Sequence, residues 1–276
     1  MDFCQDKFSA PFSIFDTHAH YDDAAFDGVR NELLSEIGEK GVGGIINNST
    51  DLFASAERCL EMSKCYEHCY TAVGLHPELV ETKGQALDEE RLRLLTREEK
   101  VVAIGEIGLD YHYSTDRKEL QKQVFKRQCE IARELKLPVI VHDREAHGDT
   151  LEILSDVGVK GSLHCFSGSV ETALELIKLG FYIGFGGVVT FKNARKAVET
   201  AEAVPLDRIL LETDAPYLAP VPFRGKLCHS AYIYYTAEKI AEIKGLSVED
   251  VISKTTENAE RLINIRNKTA GDPVKH

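Results

Sequence analysis

Short apolar and β-branched runs alternate with longer amphipathic segments from one end of the chain to the other. Runs of strand character fall at 12–18, 43–47, 70–74, 101–106, 138–142, 161–165, 181–185 and 208–213. Between them lie segments of helical period, clearest at 29–40, 117–135, 169–179 and 193–203. In the third of these, Leu174 and Ile177, with Ala173 and Leu176, predict one buried helix face at the 3.6-residue period. Two further helices are predicted at 232–244 and 248–264.

Strands that alternate with helices imply a parallel sheet, because each crossover helix must pack back onto the sheet. Eight such units in 276 residues fit a single (β/α)8 TIM barrel better than an open doubly wound sheet. Length alone would suggest two domains, yet no linker-like tract or break in composition divides the chain. The expected organisation is an N-terminal extension at 1–11, the barrel at 12–265 and a frayed tail at 266–276.

Composition narrows the class. Hydrophobic residues make up 43% and charged residues 28%, with 20 Gly and 8 Pro, which is the make-up of a folded core. The formal charge of −12 repels polyphosphate in general and argues against a nucleic-acid-coating protein, while leaving room for a local basic site. The first residues carry Asp2 and Asp6 and lack the features of a secretion signal, and no apolar run approaches a bilayer span; the expectation is a cytoplasmic protein without a membrane partner. Seven scattered cysteines read as reduced thiols. Cys65, His68 and Cys69 have zinc-ligand chemistry, but no second ligand pair at zinc-site spacing accompanies them, so buried thiols are the better reading.

The chemistry concentrates at predicted strand ends. His18 and His20 stand two apart in a strand and so point to one side. Strand four ends at Glu106, strand five at His142, strand six at His164 and strand eight at Asp214. Barrel enzymes build their sites at the carboxyl ends of the strands. Four imidazoles and two carboxylates converging there exceed what one tetrahedral ion needs and suit a pair of divalent metal ions, with zinc, magnesium and manganese all admitted. Such ions make hydrolysis the natural reaction, with one carboxylate of the set shared between the ions and Asp214 and Glu106 as the catalytic candidates.

Other residues are candidates to hold substrate. The proline-stiffened loop after Asp214 carries Arg224 and Lys226, which can clamp an anionic group. His76 follows strand three and Arg144 follows strand five; Asp110 and His112 lie on the same face. Tyr111 and Phe166 offer rings on which a nucleobase could stack.

The segments Asp16-Thr17-His18-Ala19-His20, Gly105-Glu106-Ile107-Gly108-Leu109-Asp110-Tyr111, His164-Cys165-Phe166-Ser167-Gly168 and Glu212-Thr213-Asp214-Ala215-Pro216-Tyr217-Leu218 occur in this order. Together they closely resemble the TatD family of metal-dependent deoxyribonucleases, which belongs to the amidohydrolase-like metal hydrolases. The resemblance implies a (β/α) barrel in which His18, His20 and Asp214 hold one metal, His142 and His164 hold a second, and Glu106 bridges them. One segment departs from the family pattern. Leu227-Cys228-His229-Ser230 stands where many relatives carry Arg-Asn-Glu-Pro, and it is expected to alter the charge and shape of the substrate rim.

The leading expectation is phosphodiester hydrolysis at DNA ends, single-stranded or frayed, because a barrel mouth admits a strand end more readily than a continuous duplex. The alternative is hydrolysis of a small amide, an ester or an aminoacyl-tRNA ester by the same dimetal site. A non-catalytic binding protein is disfavoured because every ligand position is filled. No obligate protein partner is inferred.

Overall fold

The structure is a computed structural model that describes residues 13–112 and 114–263. The expected extension at 1–11, Phe12 of the first strand, Asn264 of the last helix and the tail at 266–276 lie outside the described residues. Eight strands form one sheet in chain order: β1 (Ile14–Ala19), β2 (Val42–Asn48), β3 (Cys69–Val73), β4 (Val101–Asp110), β5 (Val139–Arg144), β6 (Gly161–Leu163), β7 (Tyr182–Phe185) and β8 (Ile209–Leu211). Every neighbouring pair is parallel. Helices alternate with them: α1 (Arg30–Glu39), α2 (Ala54–Cys65), α3 (Pro77–Lys83), α4 (Glu89–Leu95), α5 (Lys118–Leu135), α6 (His147–Val157), α7 (Val170–Lys178), α8 (Arg195–Ala203), α9 (Ile233–Lys244) and α10 (Val248–Leu262). This is the (β/α)8 barrel expected from the alternation.

Closure occurs where β1 meets the segment after β8. Ala19 bridges Ala215, the His20 N–H donates to the Ala215 carbonyl at 2.7 Å, and the Asp214 N–H donates to the His18 carbonyl at 2.9 Å. The bonds that shut the barrel therefore lie among three of the candidate ligands.

Strand limits differ from the pattern for identifiable reasons. β4 runs past Glu106 because Gly108, Leu109 and Asp110 continue to pair with His142, Asp143 and Arg144 of β5. Gly108 permits this approach: it sits at φ 147°, and a Cβ there would lie 1.9 Å from the His142 carbonyl oxygen. β6 stops at Leu163, two residues before Cys165 enters the left-handed region at φ 43°. β8 stops at Leu211, and the Thr213 N–H turns to the Asp16 carboxylate instead of a strand partner.

The helices bury one face each. In α7 that face is Ala173 and Leu176; Leu174, expected on it, is 39% exposed, and Ile177 packs at the margin. α5 buries Gln121, Val124, Phe125, Gln128, Cys129, Ile131 and Ala132, a stripe at helical spacing that contains two amides. α10 is tied to β8 by Asn258, whose buried amide donates to the carbonyls of Leu206 and Ile209, both at 2.9 Å. Asn258→Ala leaves two carbonyls without this donor, and is expected to lower stability by about 1–3 kcal/mol in urea denaturation. A change below about 0.3 kcal/mol would show that water replaces the amide at no cost.

The six described cysteines are free thiols, and the metal-competent groups of described residues do not include Cys65, His68 or Cys69. No helix of the described residues is long and apolar enough to cross a membrane.

Candidate metal centre

At the carboxyl end of the barrel, His18 of β1 and His20, the first residue after it, stand side by side with their Nε2 atoms 3.0 Å apart. The strand is held from behind by Asp16, which accepts from Thr213 Oγ1 and Ser230 Oγ, each at 2.7 Å, and from the Thr213 and His18 N–H groups. Burial pushes the Asp16 carboxyl up to about 6 against these hydrogen bonds. Asp16 is thus an anchor joining β1, the end of β8 and Ser230. It is not exposed to the mouth.

Glu106 occupies the centre. Its Oε1 lies 2.6 Å from His164 Nε2, 3.0 Å from His142 Nδ1 and 3.4 Å from His76 Nε2. Its Oε2 lies 3.2 Å from His20 Nε2 and 3.5 Å from His18 Nε2. Burial alone would raise this carboxyl, yet the surrounding His164, His76 and His18 hold it well below the usual carboxylate range. Asp214, at φ 60°, places Oδ1 3.7 Å from His18 Nε2 and 3.6 Å from His20 Nε2. The structure brings together all six residues that the strand ends suggested, in the groups His18–His20–Glu106 and His18–His164–Asp214, with His142 joining Glu106 and His76.

Outer contacts aim these rings. His20 Nδ1 lies 2.8 Å from the Asn48 carbonyl, which can only accept, so Nδ1 carries the proton and Nε2 faces the cluster with its lone pair. His142 Nε2 meets Asp110 Oδ2 at 2.9 Å in the same manner and leaves Nδ1 for Glu106. His76 is set the opposite way. Its Nδ1 accepts the Glu78 N–H at the start of α3, so its proton sits on Nε2 and points at Glu106. His76 is therefore oriented as a donor and not as a metal ligand. His164 stacks on His18 with ring centroids 3.8 Å apart. Behind it, Glu212 accepts from the Cys165 N–H, and burial raises this carboxyl well above the ordinary range. Gly184 makes room for Glu212, since a Cβ there would lie 2.3 Å from its Oε2.

The two buried amides of α5 support the loops of the site. Gln128 accepts from the Leu75 N–H and donates to the Leu75 carbonyl, next to His76. Gln121 accepts from the Asp110 N–H and donates to the Asp110 carbonyl and to Glu81. No periodicity in the sequence singles out these glutamines, because on the helix they read as polar interruptions of an apolar face.

The donors, imidazole nitrogens and carboxylate oxygens, suit a divalent cation. Two imidazole Nε2 atoms stand 3.0 Å apart with a carboxylate oxygen within 3.5 Å of both, an arrangement that suits a shared cation. Accordingly, although burial opposes it, Glu106 and Asp214 drive the His20 imidazole up to about 9.

A cleft of about 850 Å³ opens above this cluster, and His76, Arg144, Arg58 and Tyr217 line it. Arg224 and Lys226 are not among its lining residues. Arg224 lies over the Phe191 ring at 4.3 Å, outside the cleft. Of the two rings expected to stack on a base, Tyr111 donates its hydroxyl to Asp149, and Phe166 is buried in the core; neither lines the cleft. Tyr217, 54% exposed and three residues beyond Asp214, is the aromatic ring that lines the cleft. The segment 227–230 does not form a rim: Cys228, His229 and Ser230 are buried, and Ser230 supports Asp16.

The family described as TatD related DNase matches residues 15–264 of this chain. The chain belongs to the TatD family. An uncharacterized metal-dependent hydrolase of Bacillus subtilis, YabD, is 43% identical over 256 residues, which span 91% of this chain and 99% of YabD. The Escherichia coli K12 protein YcfH, likewise described as an uncharacterized metal-dependent hydrolase, is 49% identical over 195 residues, covering 70% of this chain and 72% of its own. The crystal structure of another TatD homologue from Escherichia coli K12, YjjV, superposes with a TM-score of 0.83 at 32% identity, over 91% of this chain and 98% of that one.

Proposed function

We propose that this TatD-family chain is a metal-dependent hydrolase and that its reaction is phosphodiester hydrolysis at DNA ends. The observation that carries the reading is Glu106, a buried carboxylate within 3.5 Å of five imidazoles, at the floor of an open cleft on the catalytic end of a barrel. His18, His20 and Asp214 would hold one divalent ion and His142 and His164 a second, with Glu106 shared between them. When bound, such ions supply a nucleophile from water at neutral pH and offset charge developing on a phosphoryl or carbonyl oxygen.

The remaining roles belong to side chains. Asp214 keeps part of its carboxylate open to the cleft, 18% exposed, and is placed to accept a proton there. His76 lines the cleft beside Glu106, where its Nε2–H would pass to an oxygen of the substrate or leaving group only by turning from that carboxylate. Arg58 and Arg144 are the cations lining the cleft and would meet flanking phosphates. Tyr217 presents a ring face to a terminal base.

A specific observation favours a second reading, hydrolysis of a small amide, ester or aminoacyl-tRNA ester. Seven carboxylates, Asp22, Asp23, Glu78, Glu81, Glu106, Asp110 and Asp214, line the cleft with these two arginines, and so acidic a wall disfavours a long polyanion. End-labelled single-stranded oligonucleotides incubated with zinc, magnesium or manganese separate the two readings. Stepwise shortening from one end, abolished by chelation, is the expected result. Turnover of amide or ester substrates with no cleavage of oligonucleotides under any metal would replace the first reading by the second.

Asp110 aims His142, so Asp110→Asn should fold normally yet weaken metal affinity about 10- to 100-fold, as loss of an outer-shell carboxylate does. Competition with a fluorescent chelator measures this. Unchanged affinity would show that the Asp110 charge does not tune His142 as a ligand.

A further inference from the structure

On a chain with a formal charge of −12, the amino end of the barrel collects positive charge. A pocket of about 530 Å³ opens there, lined by Arg133, Lys136, Lys160, Arg208, Arg261 and Tyr182; no Asp or Glu is among its described lining residues. Its position follows from the elements. Lys160 precedes β6 and Arg208 precedes β8, whereas the candidate ligands of the metal centre follow strand ends, so the two sites lie at opposite ends of the barrel.

The cations are largely unneutralised. Arg261 pairs with Glu257 at 3.2 Å on its own helix. Arg133 donates to the Val157 carbonyl at 2.8 Å, and Arg208 lies over the Tyr182 ring at 5.4 Å; neither uses a carboxylate for these contacts. Lys136 and Lys160 form no ion pair among the described residues. Lys136, Lys160, Arg208 and Arg133, with Arg261 shared with Glu257, still leave a net positive concavity, and guanidinium and ammonium donors converging from different elements match the oxygens of a phosphate.

We propose that this amino-end pocket binds a phosphate-bearing anion, independently of whatever the cleft hydrolyses. Its chemistry admits a free nucleotide or pyrophosphate, and equally the backbone of an oligonucleotide held away from the catalytic end.

The test uses the full chain in chelator, so that the cleft is metal-free and nothing is cleaved. Pyrophosphate, deoxyadenosine monophosphate and a single-stranded 12-mer are titrated calorimetrically at low and at moderate salt. At least one should bind saturably, weaken as salt rises, and slow hydrogen exchange in 133–138 and 158–161. Lys136→Glu/Lys160→Glu should lower that affinity at least tenfold, and the milder Lys136→Gln/Lys160→Gln by less, with circular dichroism and melting temperature unchanged. Both lysines are exposed, so neither pair should compromise folding. Binding of the two small anions identifies a free-phosphate site; binding of the 12-mer alone identifies a backbone site. No binding of any probe at millimolar concentration, equal affinity in the charge-reversed protein, or protection confined to the cleft would each overturn the proposal.

Discussion

Asp214→Asn should leave a folded, metal-loaded protein whose turnover falls roughly a thousandfold, within the range of about 10²–10⁴ that a positioned proton acceptor contributes. The backbone at Asp214 does not need the carboxylate. Its φ of 60° is a conformation that asparagine adopts as readily, and its N–H bond to the His18 carbonyl, part of the barrel closure, is untouched. What changes is the side chain, which at 3.6 and 3.7 Å from His20 and His18 is placed both to ligate and to take a proton from the cleft. An amide is a weaker ligand and has no carboxylate to protonate. The measurement is turnover at saturating metal, with elemental analysis on the same sample. Near-wild-type turnover with full metal would remove Asp214 from the reaction, and lost turnover with lost metal would reduce its role to that of a ligand.

The clustering of the six candidate ligands was legible in the sequence because it obeys two one-dimensional rules. The hydrophobic pattern marks where strands stop, and barrels gather chemistry where they stop. His18, His20, Glu106, His142, His164 and Asp214 needed nothing more, even though β4 runs four residues past Glu106 and β8 ends three before Asp214. The substrate side was less legible, because loops are routed by contacts that the pattern does not encode. Arg224 and Lys226 are near Asp214 in chain, but Phe223 stacks on Tyr232 with ring centroids 4.3 Å apart and carries that turn away from the cleft. Arg58 enters from α2, a helix whose facing depends on how it packs on the sheet. Gln121, Gln128 and Asn258 are buried polar groups whose partners are loop carbonyls, amides and carboxylates far away in sequence, so only the assembled fold pairs them.

The departure at 227–230 illustrates the same point in the opposite direction. Read linearly, a segment that follows two cations looks like part of a substrate rim. Folded, its Ser230 donates to Asp16, and the Ser230 N–H donates to Tyr21 Oη, so the segment braces the strand that carries His18 and His20. Substitutions here act on the geometry of the ligands from beneath, not on the charge of the mouth.

Glu106→Gln is expected to have the widest effect, removing metal binding and activity together and destabilising the metal-free protein. Five imidazole nitrogens lie within 3.5 Å of this carboxylate, and its side chain is 3% exposed. The substituted amide carries no negative charge, so the buried imidazoles lose the counter-charge that favours their protonated forms. Without metal, Glu106 is the principal counter-charge in reach of His20 and, with Asp110, of His142, the imidazole these two carboxylates raise to about 10 despite burial. Removing one partner of a buried charge cluster costs about 3–5 kcal/mol when the other charge stays behind. The imidazoles can shed their protons at neutral pH, so the lower end of that range, about 3 kcal/mol, is the expected loss in urea denaturation under chelation at pH 7. Metal content by elemental analysis should fall to background, and the stabilisation that added metal gives the wild type, which grows with ligand concentration relative to its dissociation constant, should vanish. A Glu106→Gln protein that retains two ions and melts as the wild type does would show that His18, His20, His142, His164 and Asp214 hold the ions without this carboxylate, and Glu106 would lose its central place in the site.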